Sequence, residues 1–197
     1  MAKEIAKHTD KHNDKRKSIM DASLKLFGEK CVQDTSTASI SQEANVGTGT
    51  LFCYFDSKED LVNALYLESK EELAAFIEEG VWEQTSFKMQ LKYILDRTIQ
   101  WYMENPRKIK FMAQFRSSPL ITKITHEKAV LRFTVISDVV KKAVASGEVT
   151  TVSADLLSSL ISGYFHQSCM YLMDNADNKN FKAWREETFA LLWKGVH

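Results

Sequence analysis

Residues 45–55 read N-V-G-T-G-T-L-F-C-Y-F and place Asn45, Gly47 and Gly49 just ahead of an aromatic segment. Small residues before a helix can cradle a phosphate, form a tight turn, or let the helix N-terminus approach a polyanion. A nucleotide-binding loop is disfavoured because the stretch lacks the G-x-x-x-x-G-K-[ST] pattern and no strand precedes it. Two short helices joined by such a turn are typical of a DNA-binding helix-turn-helix, and an ordinary packing corner is the alternative.

The rest of the chain has no residue pattern that predicts an enzyme active site. His8 and His12 are spaced four apart, but they lie in a polar tail with no third metal ligand nearby. No G-x-S-x-G nucleophile pattern occurs. A run of acids is typical of a solvated helix face rather than of paired catalytic carboxylates: Glu68, Glu71, Glu72, Glu78 and Glu79. We therefore predict no enzyme activity, no metal site and no cofactor.

The cysteines and the overall composition indicate a cytoplasmic protein. Cys31, Cys53 and Cys169 are odd in number and far apart, so neither a disulfide framework nor a zinc site is indicated. Cys53 could act as a redox sensor, although only the helix start beside it would lower its pKa. The polar residues 1–17 lack the apolar core of a secretory signal, and no run of about 18 apolar residues predicts a membrane span.

Charge is balanced over the 197 residues but is unevenly placed along them. Residues 1–17 carry six Lys and Arg against three acids, residues 56–83 nine acids against two bases, and residues 84–134 ten bases against three acids. A neutral total gives no bulk electrostatic support for nucleic-acid binding. Any attraction to DNA must therefore come from a local basic segment such as the N-terminal tail.

Apolar spacing predicts an all-α fold of about nine helices, which the few Gly and Pro residues also favour. Residues 13–30 have one apolar stripe, and Thr35 to Thr37 supply cap hydroxyls for a short helix. A second short helix begins near Thr48, and Ser57 caps a fourth that continues to Gly80. The remaining helices are predicted from Phe87 to Glu104, Arg107 to Arg116, near Pro119 to Ala145, Ser153 to Asp174, and Asn180 to Val196. Gly147 is predicted to end the helix that runs to Ala145.

The turn between the two short helices has specific backbone requirements. The chain must reverse sharply after Ala44, which favours a left-handed conformation at Asn45. Gly47 can serve as N-cap of the following helix. Gly49 removes side-chain bulk from the first turn of that helix, so that backbone N–H groups can approach phosphates.

Residues 16–61 resemble the TetR family of transcriptional regulators. The segments that carry the resemblance are "RKSIMDASLKLFGEK", "DTSTASISQEANVGTGTLFCYF" and "SKEDL". The rest of the chain is similar to the family's variable helical regulatory domain only in length, helix count and apolar content. The resemblance implies a helix-turn-helix DNA-binding domain with a basic tail over residues 1–57, and a helical effector-binding and dimerisation domain over residues 58–197.

The resemblance also implies a homodimeric repressor that binds double-stranded DNA at a pseudo-palindromic operator. Each recognition helix, about Thr48 to Tyr54, would lie in a major groove, with half-sites roughly 34–36 Å apart. Carried over by position, hydroxyls at the second helix start and Lys58 would hold phosphates, and the recognition helix would meet backbone or base edges. The DNA-binding residues so implied are Lys15, Arg16, Lys17, Thr35, Ser36, Thr37, Thr48, Gly49, Thr50, Cys53, Tyr54 and Lys58.

Four positions depart from the family pattern. Cys31 and Asn45 each stand where Gly is usual, and Phe52 replaces a Tyr whose hydroxyl binds phosphate. Cys53 stands where a longer polar side chain often reads a base. Because the recognition helix is nearly uncharged, we predict salt-sensitive DNA binding that weakens when residues 1–17 are removed. Unchanged affinity of that truncation in a gel-shift titration would contradict the prediction.

The second part of the chain is predicted to bind an amphipathic small molecule, because "GTLFCYFDSKEDLVNALYL" most resembles regulators of multidrug efflux. Drug-like and bile-like molecules are the leading effector classes, with Asp96 and Asp174 as possible partners of a cationic one. Lining candidates, each of which could instead be ordinary core, are Tyr66, Trp101, Met103, Phe111, Met112, Phe115, Phe133, Tyr164, His166, Met170 and Met173. The last two helices are predicted to pair with a second copy in a four-helix bundle through Leu156, Leu160, Phe165, Phe189 and Trp193.

A rival hypothesis is an all-helical small-molecule or lipid carrier, or an adaptor for a protein partner, without DNA binding. Residues 35–58 discriminate between the two, because a carrier has no use for that arrangement. Retention on heparin or duplex DNA that falls with salt would favour the regulator.

Overall fold

The computed structural model describes residues 2–115, 125, 127, 134–150 and 153–196. Over these residues the chain forms nine α-helices and no strand, so the all-α prediction is confirmed. Of the helix predicted from near Pro119 to Ala145, the described residues are 125, 127 and those from 134 onward. The helices are α1 (Ala2–Glu29), α2 (Thr37–Glu43), α3 (Thr48–Phe52), α4 (Lys58–Glu78), α5 (Phe87–Glu104), α6 (Pro106–Phe115), α7 (Val135–Ser146), α8 (Ala154–Asp174) and α9 (Phe181–Val196), with a 3-10 turn at Val81–Glu83.

The described residues divide into two compact units. The first takes those of 1–69 and 107–127, and the second takes those of 70–106 and 128–197. The boundaries therefore fall within α4 and at the start of α6. These units are groups of residues that pack together; the functional division after residue 57 stays a prediction.

The first unit packs its helices around a small apolar core. Residues from α1, α2, α3 and α4 are at most 2% exposed there: Ile19, Phe27, Ile40, Leu51, Phe55 and Leu61. Burying side chains of this size contributes about 1.5–3 kcal/mol each relative to leaving them in water. This core fixes which face of each short helix remains outside. Helix α1 begins earlier than the predicted residue 13, at Ala2.

Polar caps set the starts of α2 and α4, as the sequence predicts. The Ser36 hydroxyl accepts a hydrogen bond from the Ser39 amide at 3.0 Å. The Ser57 hydroxyl accepts one from the Asp60 amide at 3.0 Å, and the Asp60 carboxylate accepts from the Asp56 amide at 3.2 Å. Each cap satisfies a helix N–H group that has no partner within the helix.

Helix α6 belongs to the first unit, where it packs on α1. The Phe111 ring stacks on Phe27 with centroids 5.8 Å apart, and the Gln114 side chain donates to the Phe27 carbonyl at 3.0 Å. Ile109 and Met112 of α6 and Tyr66 of α4 are also buried.

The second unit is a helical bundle in which α5 packs on α7 and α8, and α8 also packs on α9. Its core positions follow the 3.6-residue period and include Leu91, Ile94, Val139, Val140, Ile161, Phe165, Phe189 and Leu192. Gly147 adopts φ 78° and closes α7, as predicted. In the described residues no helix is long and apolar enough to cross a membrane.

Polar side chains on α4, α5, α8 and α9 add specific links within this bundle. Asp96 accepts from Arg185 at 2.8 Å and from Lys92 at 3.1 Å. Arg97 donates to the Phe76 carbonyl at 2.8 Å and lies over the Phe76 ring. Burial raises the pKa of the Cys169 thiol to about 12, so this cysteine stays protonated and behaves as core.

Candidate nucleic-acid interface

The turn between α2 and α3 is closed by the chain's own hydrogen bonds. Asn45 has φ 53° and is the one non-glycine residue with positive φ in the described part of the chain, which confirms the predicted left-handed turn. The Asn45 amide donates to the Gln42 carbonyl at 3.1 Å, and the Val46 amide donates to the Ser41 carbonyl at 2.9 Å. These bonds satisfy the C-terminal carbonyls of α2 and hold the turn in one geometry.

Helix α3 presents an uncharged face outward. Leu51 is fully buried and Phe55, just beyond the helix, is 2% exposed, so this side faces the core. The opposite side carries Thr48, Gly49, Phe52 and Cys53, all of which are exposed. Gly47 is the N-cap, as predicted, with extended backbone and no side-chain bond.

Gly49 has no structural reason to lack a side chain. A Cβ atom placed there would meet nothing within 4 Å. Its φ also lies outside the left-handed region that favours glycine. The open space beside Gly49 therefore lies outside the protein surface, where a duplex can approach the backbone closely.

The two side chains that follow Phe52 differ in how they are engaged. The Cys53 thiol donates to the Gly49 carbonyl at 3.3 Å, so its proton is used within the helix. Tyr54 is half-buried and has contacts within the protein. The exposed Thr48 and the half-buried Thr50 keep the positions predicted for backbone or base contact.

The hydroxyls at the start of α2 are not equivalent. Ser36 is exposed and Thr37 half-buried, so both can meet a phosphate. Thr35 is 2% exposed and donates to the Cys31 carbonyl at 3.1 Å. Its hydroxyl holds the turn after α1, and the predicted phosphate contacts are better placed at Ser36 and Thr37.

Basic side chains around these helices are partly engaged. Arg16 forms an ion pair with Glu68 and lies 5.5 Å from the centre of the Phe55 ring. Lys58 donates to the Gln33 carbonyl at 3.4 Å, whereas Lys15 and Lys17 are exposed. The acidic partner of Arg16 was not foreseen, because it lies 52 residues along the chain.

One further ion pair ties α1 to α2. Lys25 contacts the Glu43 carboxylate at 2.7 Å, and the hydrogen bond with Glu43 raises the pKa of the Lys25 amine. In the described residues, no group of three His, Cys, Asp or Glu side chains could hold a metal ion. The side chains of His8 and His12 are not among those described.

The predicted effector-lining residues fall in both units. Tyr66, Phe111 and Met112 are buried in the first unit. In the second, Trp101 is buried, Met103 is 44% exposed, and four residues are half-buried: Tyr164, His166, Met170 and Met173. Phe133 and the side chain of Phe115 lie outside the described residues.

Two polar pairs in the second unit join predicted lining residues to other helices. The Tyr102 hydroxyl and His166 Nδ1 are 2.9 Å apart, which links α5 to α8. The Tyr164 hydroxyl donates to the Thr188 carbonyl of α9 at 2.8 Å. Tyr102 was counted from the sequence only as an apolar-face residue, since nothing local indicates a partner 64 residues away.

A separate open cavity of about 280 Å³ lies at the start of α5. It contains none of the predicted lining residues, and its walls include Gln84, Ser86, Gln90, Lys142 and Glu148. The Glu148 carboxylate already accepts from the Phe87 amide at 3.0 Å. The start of α5 is thus capped from within the chain.

The predicted dimer residues are divided between surface and core. Leu156 and Leu160 are 58% and 62% exposed on α8. Phe165 and Phe189 are buried inside the same protomer, because they lie on the sides of α8 and α9 that face the bundle. Trp193 is half-buried and packs against Phe87, with ring centroids 6.1 Å apart.

Sequence analysis missed two exposed residues on these last helices. Tyr171 is 53% exposed and lies eleven residues after Leu160, about three turns along the same face. Leu191 of α9 is 56% exposed. The Tyr171 ring contacts Trp184 with centroids 5.6 Å apart, so α8 and α9 form one surface here.

Comparison with known proteins agrees with this arrangement. The model for "Bacterial regulatory proteins, tetR family" matches residues 19–65. A crystal structure from Shewanella sp. PV-4, described as a tetR family transcription regulator, is 30% identical with TM-score 0.83. The match covers 92% of this chain and 97% of that one.

Two further comparisons are with Bacillus subtilis proteins of described function. The fatty acid metabolism regulator protein is 21% identical over 91% of this chain and 94% of its own length. The crystal structure of FadR in complex with stearoyl-CoA has TM-score 0.77 at 18% identity, over 91% of this chain and 98% of that chain. These relatives are transcriptional regulators rather than enzymes. The chain therefore belongs to the TetR family and is a DNA-binding transcriptional regulator.

Proposed function

We propose that the chain is a homodimeric repressor whose two α3 helices enter major grooves of a pseudo-palindromic operator, and which an amphipathic molecule releases. The observation that carries the DNA-binding part is the exposed, uncharged face of α3 with open space beside Gly49. A helix that presents small residues can seat its first turn close to a duplex, where backbone N–H groups meet phosphate.

Phosphate contacts around α3 position the helix in the groove. Ser36 and Thr37 at the start of α2 and Thr48 at the start of α3 offer accessible hydroxyls. The exposed amines of Lys15 and Lys17 add the sequence-independent attraction that a neutral chain otherwise lacks.

The dimer is supported by an apolar surface on α8 and α9. Leu156, Leu160, Tyr171 and Leu191 are each more than half exposed in one protomer. A row of such side chains along a 21-residue helix is costly in water and is covered when two copies form a four-helix bundle. The proposed interface therefore keeps Leu156 and Leu160 from the sequence prediction and adds Tyr171 and Leu191. Phe165 and Phe189 belong to the protomer's core beneath this surface.

Two similar proteins support a fatty acyl compound as the effector. One is a fatty acid metabolism regulator, and a structural neighbour was crystallised with stearoyl-CoA. A long-chain acyl thioester is amphipathic, in agreement with the expectation from the sequence, and its chain suits the aromatic and Met side chains of the second unit. We place a fatty acyl-CoA first and a drug-like cation second. Trp101, Met170 and Met173 are the lining residues we retain in that unit.

Selection from random duplexes followed by effector titration tests the proposal. We expect a bipartite, inverted-repeat operator, and dissociation of the complex by stearoyl-CoA at concentrations where stearate and tetraphenylphosphonium have little effect. In a reporter strain, the chain should lower transcription from a promoter that carries the operator. Release by tetraphenylphosphonium alone would show that the effector is a drug-like cation. Activation of the reporter would show that the chain is not a repressor.

Matched variants separate effector binding from DNA binding. Met170→Ala removes a half-buried side chain of α8 and should weaken the response to stearoyl-CoA without changing operator affinity. Met89→Ala removes a side chain that is 48% exposed on α5 and should change neither. If the protein binds stearoyl-CoA but retains no duplex from the selection, the carrier hypothesis is correct instead.

A further inference from the structure

Phe52 is an exposed aromatic side chain on the helix that reads DNA. It is 46% exposed, whereas Leu51 beside it and Phe55 one turn on are buried in the core. Phe52 lies four residues after Thr48, so both side chains share the outward face of α3. The protomer leaves 46% of this residue open to solvent, so the ring can contact a partner.

The outward face of α3 has no Arg or Lys that could contact guanine. Arg and Lys make the commonest specific contacts with the O6 and N7 atoms of guanine in the major groove, and residues 45–57 contain neither. The Cys53 thiol donates its hydrogen bond to the Gly49 carbonyl. Base recognition by this face must therefore depend on apolar contact and on the Thr48 hydroxyl.

Thymine is the base that offers an apolar group in the major groove. Its 5-methyl group projects from the edge of each A·T pair, and aromatic or methyl-bearing side chains contact it. Cytosine presents hydrogen at the same carbon, and adenine presents an amino donor and the N7 acceptor. An exposed ring flanked by Gly49 and Thr48 therefore matches the shape and polarity of a thymine edge.

From this we infer that Phe52 determines specificity by packing its ring against thymine methyl groups in each operator half-site. The inference rests on the proposed function, because it requires α3 in the major groove. We therefore expect each operator half-site to have thymine next to Phe52. Residues 48–53 should require no contact with guanine.

Replacing thymine by uracil tests this directly, since the two bases differ only in the 5-methyl group. Each thymine of a selected operator is changed to uracil in turn, and the affinity of the full-length dimer is measured at fixed salt. For the wild-type protein we expect one or two positions in each half-site where affinity falls about fourfold, the effect of one buried methyl group. The remaining positions should change little.

Variants connect the methyl effect to the side chain. Phe52→Ala should lower affinity for the thymine operator about tenfold and abolish the difference between thymine and uracil. Met89→Ala, which trims a side chain of similar exposure in the other unit, should retain the full difference. Circular dichroism and operator-independent retention on duplex DNA show that Phe52→Ala remains folded.

Three outcomes decide the matter. A methyl effect that disappears in Phe52→Ala supports the assignment. Tight operator binding with no methyl effect, or with one that persists in Phe52→Ala, overturns it while the proposed function stands. A wild-type chain that selects no duplex overturns both.

Discussion

Helices α3 and α8 both expose apolar side chains, but their surroundings differ. On α3, Phe52 is 46% exposed, is a single ring, and has Gly49 and Thr48 beside it on a helix of five residues. On α8, Leu156 and Leu160 are 58% and 62% exposed on a helix of 21 residues. A single ring among small residues fits the edge of a base, whereas a row of aliphatic side chains fits another helix.

This difference shows that apolar exposure alone does not identify a partner. The closed turn at Asn45 and the open space beside Gly49 are compatible with the duplex proposed at α3. The length and spacing of the stripe on α8, together with the Tyr171–Trp184 contact to α9, indicate a second copy. The predictions below separate these two surfaces, beginning with the largest expected effect.

Charging the α8 surface should separate the copies and thereby weaken DNA binding. Leu156→Glu with Leu160→Glu places carboxylates on the proposed interface, and each protomer keeps its buried core. Loss of the second half-site should reduce operator affinity about a hundredfold or more, because two linked sites bind far more tightly than one. Sedimentation velocity would show monomers. A double variant that stays dimeric would show that this surface is not the interface.

Trimming the inner side of α3 should destabilise the first unit. Leu51 is fully buried, so Leu51→Ala removes packed methyl groups and should cost about 2–5 kcal/mol of unfolding free energy. Chemical denaturation measures the loss, and DNA binding should decline with it. Met89→Ala on the surface should stay within about 0.5 kcal/mol of the wild type. Equal stability of the two variants would mean that α3 is not held by this core.

Adding one methyl group at Gly49 should separate stability from DNA affinity. Its Cβ position is open, so Gly49→Ala should fold normally and gain about 0.5 kcal/mol from better helix propensity. The same methyl group would intrude on the duplex and lower operator affinity about tenfold. Gel-shift titration and thermal melting are the two measurements. Undiminished affinity would place the duplex away from this surface.

Removing basic side chains before α3 should have the smallest effect. Lys15 and Lys17 are exposed, so each change to Ala should reduce the slope of log affinity against log salt by about 1. Arg16 is paired with Glu68, so Arg16→Ala should change the slope less. Titrations at several salt concentrations compare the three. A larger slope change for Arg16 than for either lysine would show that its ion pair opens on DNA.

The first unit could be predicted almost entirely from sequence because its determinants are local. The left-handed turn at Asn45, the caps at Ser36 and Ser57, and the buried positions Ile40 and Leu51 all follow from neighbours within a few residues. The family segments span the same residues, and the all-α class follows from apolar periodicity, whereas the start of α1 at Ala2 did not follow from it.

Long-range contacts could not be predicted in this way. Periodicity identifies an apolar residue but not the element it faces, so Phe165 and Phe189 were assigned to a partner and are buried in the protomer. The Arg16–Glu68 pair and the Tyr102–His166 pair join residues more than 50 positions apart. Such pairs depend on how helices pack, and a single sequence has no local signal for them.

Rotation of one half-site relative to the other tests the central claim most directly. An insertion of about 5 base pairs between the half-sites of a selected operator turns one of them by half a helical turn, away from the face that a two-fold dimer can reach. If paired α3 helices read the duplex, affinity should fall about a hundredfold, and an insertion of about 10 base pairs should not restore it, because the half-sites then lie about 34 Å farther apart than the dimer spans. Equal affinity at every spacing would contradict the account.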